Sequence, residues 1–313
     1  ISLGARVYFD SFHGDDADVV SYDNEQIGLD VSTGYALSDN LYITYTAGVQ
    51  QMDITSNKFF LQAIDFWRTY GEGNLNNEFL NFTFAINLNR NNLDRTVFPT
   101  SGSRQNLSLF TTLPSISDLQ YYKLDAQTFH YFPLNDEHSF VFSIRGRVAY
   151  GDGYGNVDGL KQKLPFFDNF YLGGDQWLRG FKRNSVGPRA LYHSSKDTLT
   201  IDDDDNLGGN ALWAASAEII FPTPFVAEAY RSQVRTAVFV DAGALWDTNS
   251  NEYTAGYKNA PDYSSPNNYS ASAGVSLTWM SPVGPLSFSL SKPIVKQDGD
   301  DDEFFSFDIG GRF

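Results

Sequence analysis

The residues best equipped for chemistry in this sequence lie inside one sixty-residue connection, 151–210. There Gly173-Gly174-Asp175-Gln176-Trp177-Leu178-Arg179-Gly180-Phe181 is followed by Asn184 and Gly187-Pro188-Arg189. The glycines permit tight turns, and Arg179 is a rigid five-donor fork that matches a carboxylate. A connection this long is rarely idle filler and can fold back into a wide lumen. An arginine taken there needs an acid. Side-chain parity supplies two. In 233–245, Val234, Val238, Val240 and Ala242 face one way, so Asp241 faces the other together with Arg235. In 211–221, Trp213, Ala215, Ala217, Ile219 and Phe221 share a face, so Glu218 lies on the opposite one. Asp241 is the first choice as partner of Arg179, and Glu218 the second.

Other chemistry is sparse. Cysteine is absent, which removes thiol catalysis, Cys-ligated metal and disulfides. The four histidines, His13, His130, His138 and His193, form no close pair and no HExxH. Asp202–Asp205 has neither the spacing nor the glycine of an EF-hand-type loop, and reads as a solvated loop, as does Asp298–Glu303. No Gly-x-Ser-x-Gly elbow, P-loop or dinucleotide fingerprint occurs. The expectation is a protein that is not an enzyme, with no metal and no cofactor. Lys and Arg total 22 against 38 for Asp and Glu, a net charge of −16, so nucleic acid is not expected as a partner.

The elements that must position these residues are strands. Ala271, Ala273, Val275, Leu277 and Trp279 alternate with Ser272, Gly274, Ser276 and Thr278. Such a period of two marks a strand with one apolar and one polar face. Twelve segments behave this way: 1–10, 26–37, 41–52, 79–90, 104–113, 121–132, 139–150, 211–221, 233–245, 270–280, 284–292 and 303–313. No apolar run is long enough for a membrane helix, but a closed barrel crosses with alternating strands. The connections alternate in length. Short turns such as 38–40, 133–138 and 281–283 fall on one rim, and 11–25, 53–78, 114–120, 151–210, 246–269 and 293–302 on the other. The acidic runs Asp15, Asp16 and Asp18, Asp202–Asp205 and Asp298–Asp302 all lie on the long-loop rim. A soluble sandwich gives no reason for that segregation. The fold class is therefore all-β: a transmembrane antiparallel β-barrel, one domain over 1–313, with 151–210 as its long extracellular loop. Aromatics near strand ends, among them Tyr8, Phe9, Trp67, Tyr70, Phe132 and Trp279, are read as headgroup-level rings.

The last strand is a special case. Phe305, Phe307, Ile309 and Phe313 share one parity, and Gly310-Gly311 stands just before the end. Glycines weaken pairing there, leaving an edge able to accept another strand.

The motifs, taken in order, resemble the Omp85 superfamily. Leu178-Arg179-Gly180-Phe181 is similar to its [VL]RGF loop motif. It follows Pro165-Phe166-Phe167-Asp168-Asn169-Phe170-Tyr171-Leu172-Gly173-Gly174 and precedes Asn184-Ser185-Val186-Gly187-Pro188. Further matches are Leu93-Asp94-Arg95 with Phe98-Pro99-Thr100-Ser101-Gly102, then Phe221-Pro222-Thr223-Pro224, and Trp279-Met280-Ser281-Pro282-Val283-Gly284-Pro285. The resemblance covers essentially the whole chain and favours the family's assembly factors. Two-partner secretion pores and autotransporter assembly subunits are the alternatives. A generic porin would not account for the match around Arg179.

The resemblance implies an outer-membrane location in a Gram-negative bacterium. It implies a barrel that folds and inserts client outer-membrane β-barrel proteins without nucleotide and locally thins the bilayer. The loop arginine enters the barrel and pairs with the acid corresponding to Asp241, and Glu218 matches another interior acid. The seam beside Phe305, Phe307, Ile309, Gly310, Gly311 and Phe313 is where client strands pair. Implied partners are the clients, outer-membrane lipids, and accessory lipoproteins bound mainly through periplasmic POTRA repeats. Family barrels have sixteen strands, and the start of this chain resembles the fifth. It is thus expected to carry twelve strands, without the POTRA repeats and the first four.

Overall fold

The computed structural model describes residues 1–14, 19–56, 59–70, 76–157, 159–227, 230, 233–282 and 284–309. Twelve long strands form one antiparallel sheet. They are β1 (Ser2–His13), β2 (Asp23–Ser38), β3 (Leu41–Thr55), β4 (Asn76–Asn91), β5 (Gly102–Thr112), β6 (Tyr121–Pro133) and β7 (Val141–Gly153), then β12 (Ala211–Phe221), β13 (Val234–Trp246), β14 (Tyr269–Ser281), β15 (Gly284–Val295) and β16 (Phe305–Ile309). Each strand pairs with the next along the chain, and β12 pairs directly with β7 across the long connection. Within that connection two small hairpins form, β8 (Asn156–Val157) with β9 (Leu160–Lys161), and β10 (Arg189–Ser195) with β11 (Thr198–Asn206).

The alternation seen in the sequence becomes two chemically distinct faces. On β13, Val238 and Val240 are exposed, whereas Ala237, Phe239 and Asp241 between them are buried. Leu3, Val7 and Phe9 on β1, and Val148 on β7, are likewise exposed apolar residues. Water does not favour a continuous apolar outer surface, but a hydrocarbon core does. The buried face is the polar one, which a wet barrel interior accepts. The sheet is an outer-membrane-type barrel wall. Among the described residues no helix is long and apolar enough to cross a membrane, which says nothing against crossing by strands.

The long-loop rim carries a second layer. Helix α1 (Leu61–Tyr70), a 3-10 turn at Phe166–Asp168 and the β10–β11 hairpin gather over the lumen. Phe66 meets Phe166 and Phe167 edge to face, at centroid separations of 5.5 and 5.4 Å. Two of the expected headgroup aromatics belong here instead. Trp67 is buried and stacks on Phe79, and the Tyr70 hydroxyl donates to the Lys163 carbonyl. They sit on a helix, so strand-end position said nothing about their surroundings. Phe9, Phe132 and Trp279 do lie exposed on the outer face. Asp15, Asp16, Asp18, Gly310, Gly311 and Phe313 lie outside the described residues.

Candidate functional site

Register explains why one loop residue can meet so many wall residues. Ser216 on β12 is paired with Arg145 on β7 and with Asp241 on β13, and Asp241 is paired with Ser272 on β14. Arg145, Ser216, Asp241 and Ser272 therefore form one inward row across four strands. Two residues along, Ser143, Glu218, Phe239 and Gly274 form the next inward row.

Arg179 lands between these rows. Its Nε donates to Asp241 Oδ2 at 2.7 Å and its Nη2 to Asp241 Oδ1 at 2.7 Å. Nη2 also lies 2.7 Å from Glu218 Oε1 and 3.2 Å from Ser216 Oγ. The backbone N–H of Arg179 donates to Asp241 as well, and its carbonyl accepts the Ser272 hydroxyl. The guanidinium carbon lies over the Phe239 ring, 3.3 Å from its centroid. Arg179 is 2% exposed and Asp241 0%, so this pair is held by contacts rather than by water. A side chain at Gly274 would meet Phe239 Cζ at 2.7 Å and the Leu290 carbonyl at 2.3 Å; glycine leaves that ring its space.

The neighbours of Arg179 fix the backbone that delivers it. Leu178 and Phe181 are fully buried with Phe170, Leu172, Trp177 and Leu212. Burial of each large apolar side chain contributes roughly 1.5–3 kcal/mol. Gly180 has φ +87°, and a Cβ there would stand 3.0 Å from Ser272 Cβ. The segment turns tightly, with Gly174 N–H donating to the Phe181 carbonyl at 2.9 Å. The 151–210 connection therefore folds inward at its centre and carries its hairpins at its ends.

The last long connection, 296–304, is not the solvated acidic loop that its composition suggests. Lys182 N–H donates to the Asp301 carbonyl and Glu303 N–H to the Gly180 carbonyl, so 301–303 runs beside 180–182 like a short strand. Arg189 donates to the Gly299 carbonyl, and Ser270 to the Asp300 carboxylate. Asp300 is buried, and burial pushes its carboxyl above the usual range against the opposing Ser270 and Gly187 donors. Asp202–Asp205 behaves in part likewise, since Asp205 is buried and accepts the Tyr192 hydroxyl.

Of the terminal-strand residues, Phe305, Phe307 and Ile309 are exposed on the outer face and Ser306 is buried on the inner one. They are far from Arg179 in chemistry but joined to it through 301–303. Strand β16 pairs with β15 from Leu286↔Ile309 to Leu290↔Phe305, and its other edge has no strand among the described residues. Arg145, Ser216, Ser272, Phe239 and Asp300 complete the site. Parity marks the wall residues among them as inward, but only register brings them to one level. Among the described residues no group of three or more His, Asp or Glu is placed to hold a metal ion.

A twelve-strand sheet with an apolar outside, a polar lumen and an inward arginine loop defines an outer-membrane β-barrel of the RGF-loop type. The Omp85 superfamily domain matches residues 1–313, and the chain belongs to that superfamily. It is similar to BamA. The outer membrane protein assembly factor BamA of Neisseria meningitidis serogroup B is 28% identical, over 100% of this chain and 40% of its own. The crystal structure of BamA from Haemophilus ducreyi lacking POTRA domains 1–3 is 33% identical with a TM-score of 0.89, over 97% of this chain and 57% of that one. A SAM50-like protein of Schizosaccharomyces pombe is 27% identical over 82% of this chain and 51% of its own. The chain thus spans about half the length of the relatives it matches. CdiB from Escherichia coli, 15% identical with a TM-score of 0.51 over 97% of this chain and 48% of its own, shares the fold.

Proposed function

We propose that this barrel is the membrane part of an assembly factor that folds and inserts client outer-membrane β-barrel proteins, and that client strands pair at the edge of β16. The observation carrying this reading is the seat of Arg179 on Asp241 and Glu218, inside a barrel that superposes on BamA. The seat fills the lumen beside β12–β14 with the Leu178–Phe181 segment, and the aromatic layer covers the long-loop rim. Both features favour a scaffold over an open solute channel. A client strand needs backbone donors and acceptors and an apolar outer stripe to match its own. The outer edge of β16, with Phe305, Phe307 and Ile309 facing lipid, provides that chemistry. No step requires nucleotide, because strand pairing and lipid burial supply the driving free energy. Outer-membrane lipids contact the apolar face, and accessory lipoproteins act through POTRA repeats.

The test is a photocrosslinking amino acid at Phe307 in cells making this protein. Client β-barrel proteins are expected to be captured through their C-terminal strands. The same probe at Val238, on internal strand β13, is the control. Equal capture at both positions, or none at Phe307, would remove the edge-pairing reading.

A further inference from the structure

One stretch of the lipid-facing wall breaks its apolar pattern. Register places Leu41, Arg90, Gln105, Thr128, Gly146 and Ala215 opposite one another across β3–β7 and β12. They share the outward parity of Leu107 and Val148, which are exposed. Arg147, of the other parity, pairs with Asp125 and faces Phe170 and Trp177 in the lumen. Side chains shrink along the outward row, from an arginine to a glycine and an alanine. The neighbouring outward row, with Leu88, Leu107, Val148 and Trp213, stands beside it as a ridge. Together they line a groove of about 680 Å³, within the roughly 300–1,000 Å³ of small-ligand sites. Packing does not demand the glycine. A Cβ at Gly146 would meet Thr128 Cγ2 at 3.7 Å and the Ala214 carbonyl at 3.8 Å, which are ordinary contacts. What the glycine provides is an open floor.

The groove slopes through one leaflet. Arg90 is the last residue but one of β4, at the short-turn rim, while Ala215 stands six residues from the short-turn end of β12 at Phe221. That difference, along strands tilted by about 40°, is a climb of about 13 Å. Half of a hydrocarbon core is about 15 Å. The groove thus runs from headgroup level on the periplasmic side to near the bilayer midplane. Its lower end carries the charge. Arg90 is exposed, and the Asn92 amide oxygen, turned toward it, accepts its Nε and Nη2 at 3.2 Å. A guanidinium has five donors, so others remain. Among the described residues no carboxylate pairs with Arg90. We propose that this groove holds one glycerophospholipid of the periplasmic leaflet, its phosphate on Arg90 and one acyl chain along Thr128, Gly146 and Ala215. A phosphate fits the guanidinium fork, and an acyl chain fits a floor of small residues beside an apolar ridge. The site needs only the barrel in its membrane and is independent of the assembly reading.

The test is a titration of the purified protein in detergent with dioleoylphosphatidylglycerol, with bound lipids counted by native mass spectrometry. One lipid should bind saturably. Arg90→Gln should weaken it about tenfold or more, the loss expected for one charge-assisted bond, and Arg90→Lys should keep part of the affinity. Gly146→Leu fills the floor with the headgroup site intact and should weaken binding comparably. Val275→Leu, on the outer face of β14 away from the groove, should bind as the wild-type protein does. Dioleoylglycerol, which has the chains without the phosphate, should bind about tenfold more weakly. Equal phospholipid binding by the wild-type, Arg90→Gln and Gly146→Leu proteins, or equal binding of dioleoylglycerol, would overturn the proposal and leave the groove to bulk lipid.

Discussion

Removing either member of the Arg179–Asp241 pair should cost far more than an exposed ion pair would, and the two losses should not add. The fork makes two 2.7 Å bonds to Asp241, and Asp241 is wholly buried. Breaking a buried pair by removing one partner typically costs about 3–5 kcal/mol. For Arg179→Ala the lower end applies. The alanine backbone N–H still donates to Asp241, and Arg145 waits 3.9 Å away to take up the freed carboxylate. For Asp241→Ala the upper end applies, because two guanidinium groups then share Glu218 alone. The double variant leaves neither orphan charge, so its loss should fall short of the sum by about 2–3 kcal/mol. Arg179→Lys should recover little, since an ammonium cannot span both carboxylate oxygens while also covering the Phe239 ring. Equilibrium unfolding of the four proteins from detergent micelles, followed by tryptophan fluorescence, measures the cycle. Losses that add to within about 0.5 kcal/mol would refute the pairing argument, because that is how independent sites behave.

Three further outcomes follow from the same geometry. Gly180→Ala places a Cβ at φ +87° and 3.0 Å from Ser272 Cβ, and should destabilise by about 1–3 kcal/mol in the same unfolding assay. Asp300→Ala removes the acceptor of the Ser270 hydroxyl and the Gly187 N–H, and should speed trypsin cleavage after Lys296 under native conditions while leaving the barrel core resistant. On the short-turn rim, Asp94 accepts from the Thr100 hydroxyl and from the Thr100 and Ser101 N–H groups; against the upward pull of burial, these bonds and Arg95 hold its carboxyl down at about 2. A depressed carboxyl stabilises fully above its unfolded value near 3.8, and that share is lost as pH falls toward 2, so Asp94→Asn should flatten acid unfolding in this window.

How much of this was legible follows from what each signal measures. Period-two alternation is a local property, so the twelve strands and the inward parity of Asp241 and Glu218 could be read from the residues alone. Register is not local. Arg145, Ser216, Asp241 and Ser272 are far apart in the sequence and share a level only because four strands pair at one stagger. Composition misled where tertiary contacts override it. Asp298–Glu303 looks like a solvated run, yet backbone pairing to 180–182 draws it inward and Ser270 meets Asp300. Trp67 and Tyr70 look like belt aromatics, but α1 carries them into the rim layer. The hairpins of 151–210 escaped notice because β8 and β9 are two residues each, and the polar Asp202–Asp205 run hid β11.

The arginine loop is tied on both sides, and this bears on how an assembly edge could be built. On one side Arg179 fastens the loop to β12, β13 and β14. On the other, Gly180 and Lys182 pair with Glu303 and Asp301, the residues that lead directly into β16. Asp175, from the same loop, accepts the hydroxyl of Ser306 within β16. Among the described residues, β16 pairs with β15 from Phe305 to Ile309. Its position is therefore set jointly by that ladder and by the loop behind it. An edge meant to accept a client strand needs a location fixed enough to template, and a buried arginine anchoring the adjoining backbone meets that demand. On the assembly-factor reading, the Arg179 seat is then a positioning device for β16, acting through 301–303 and not by contact with the client.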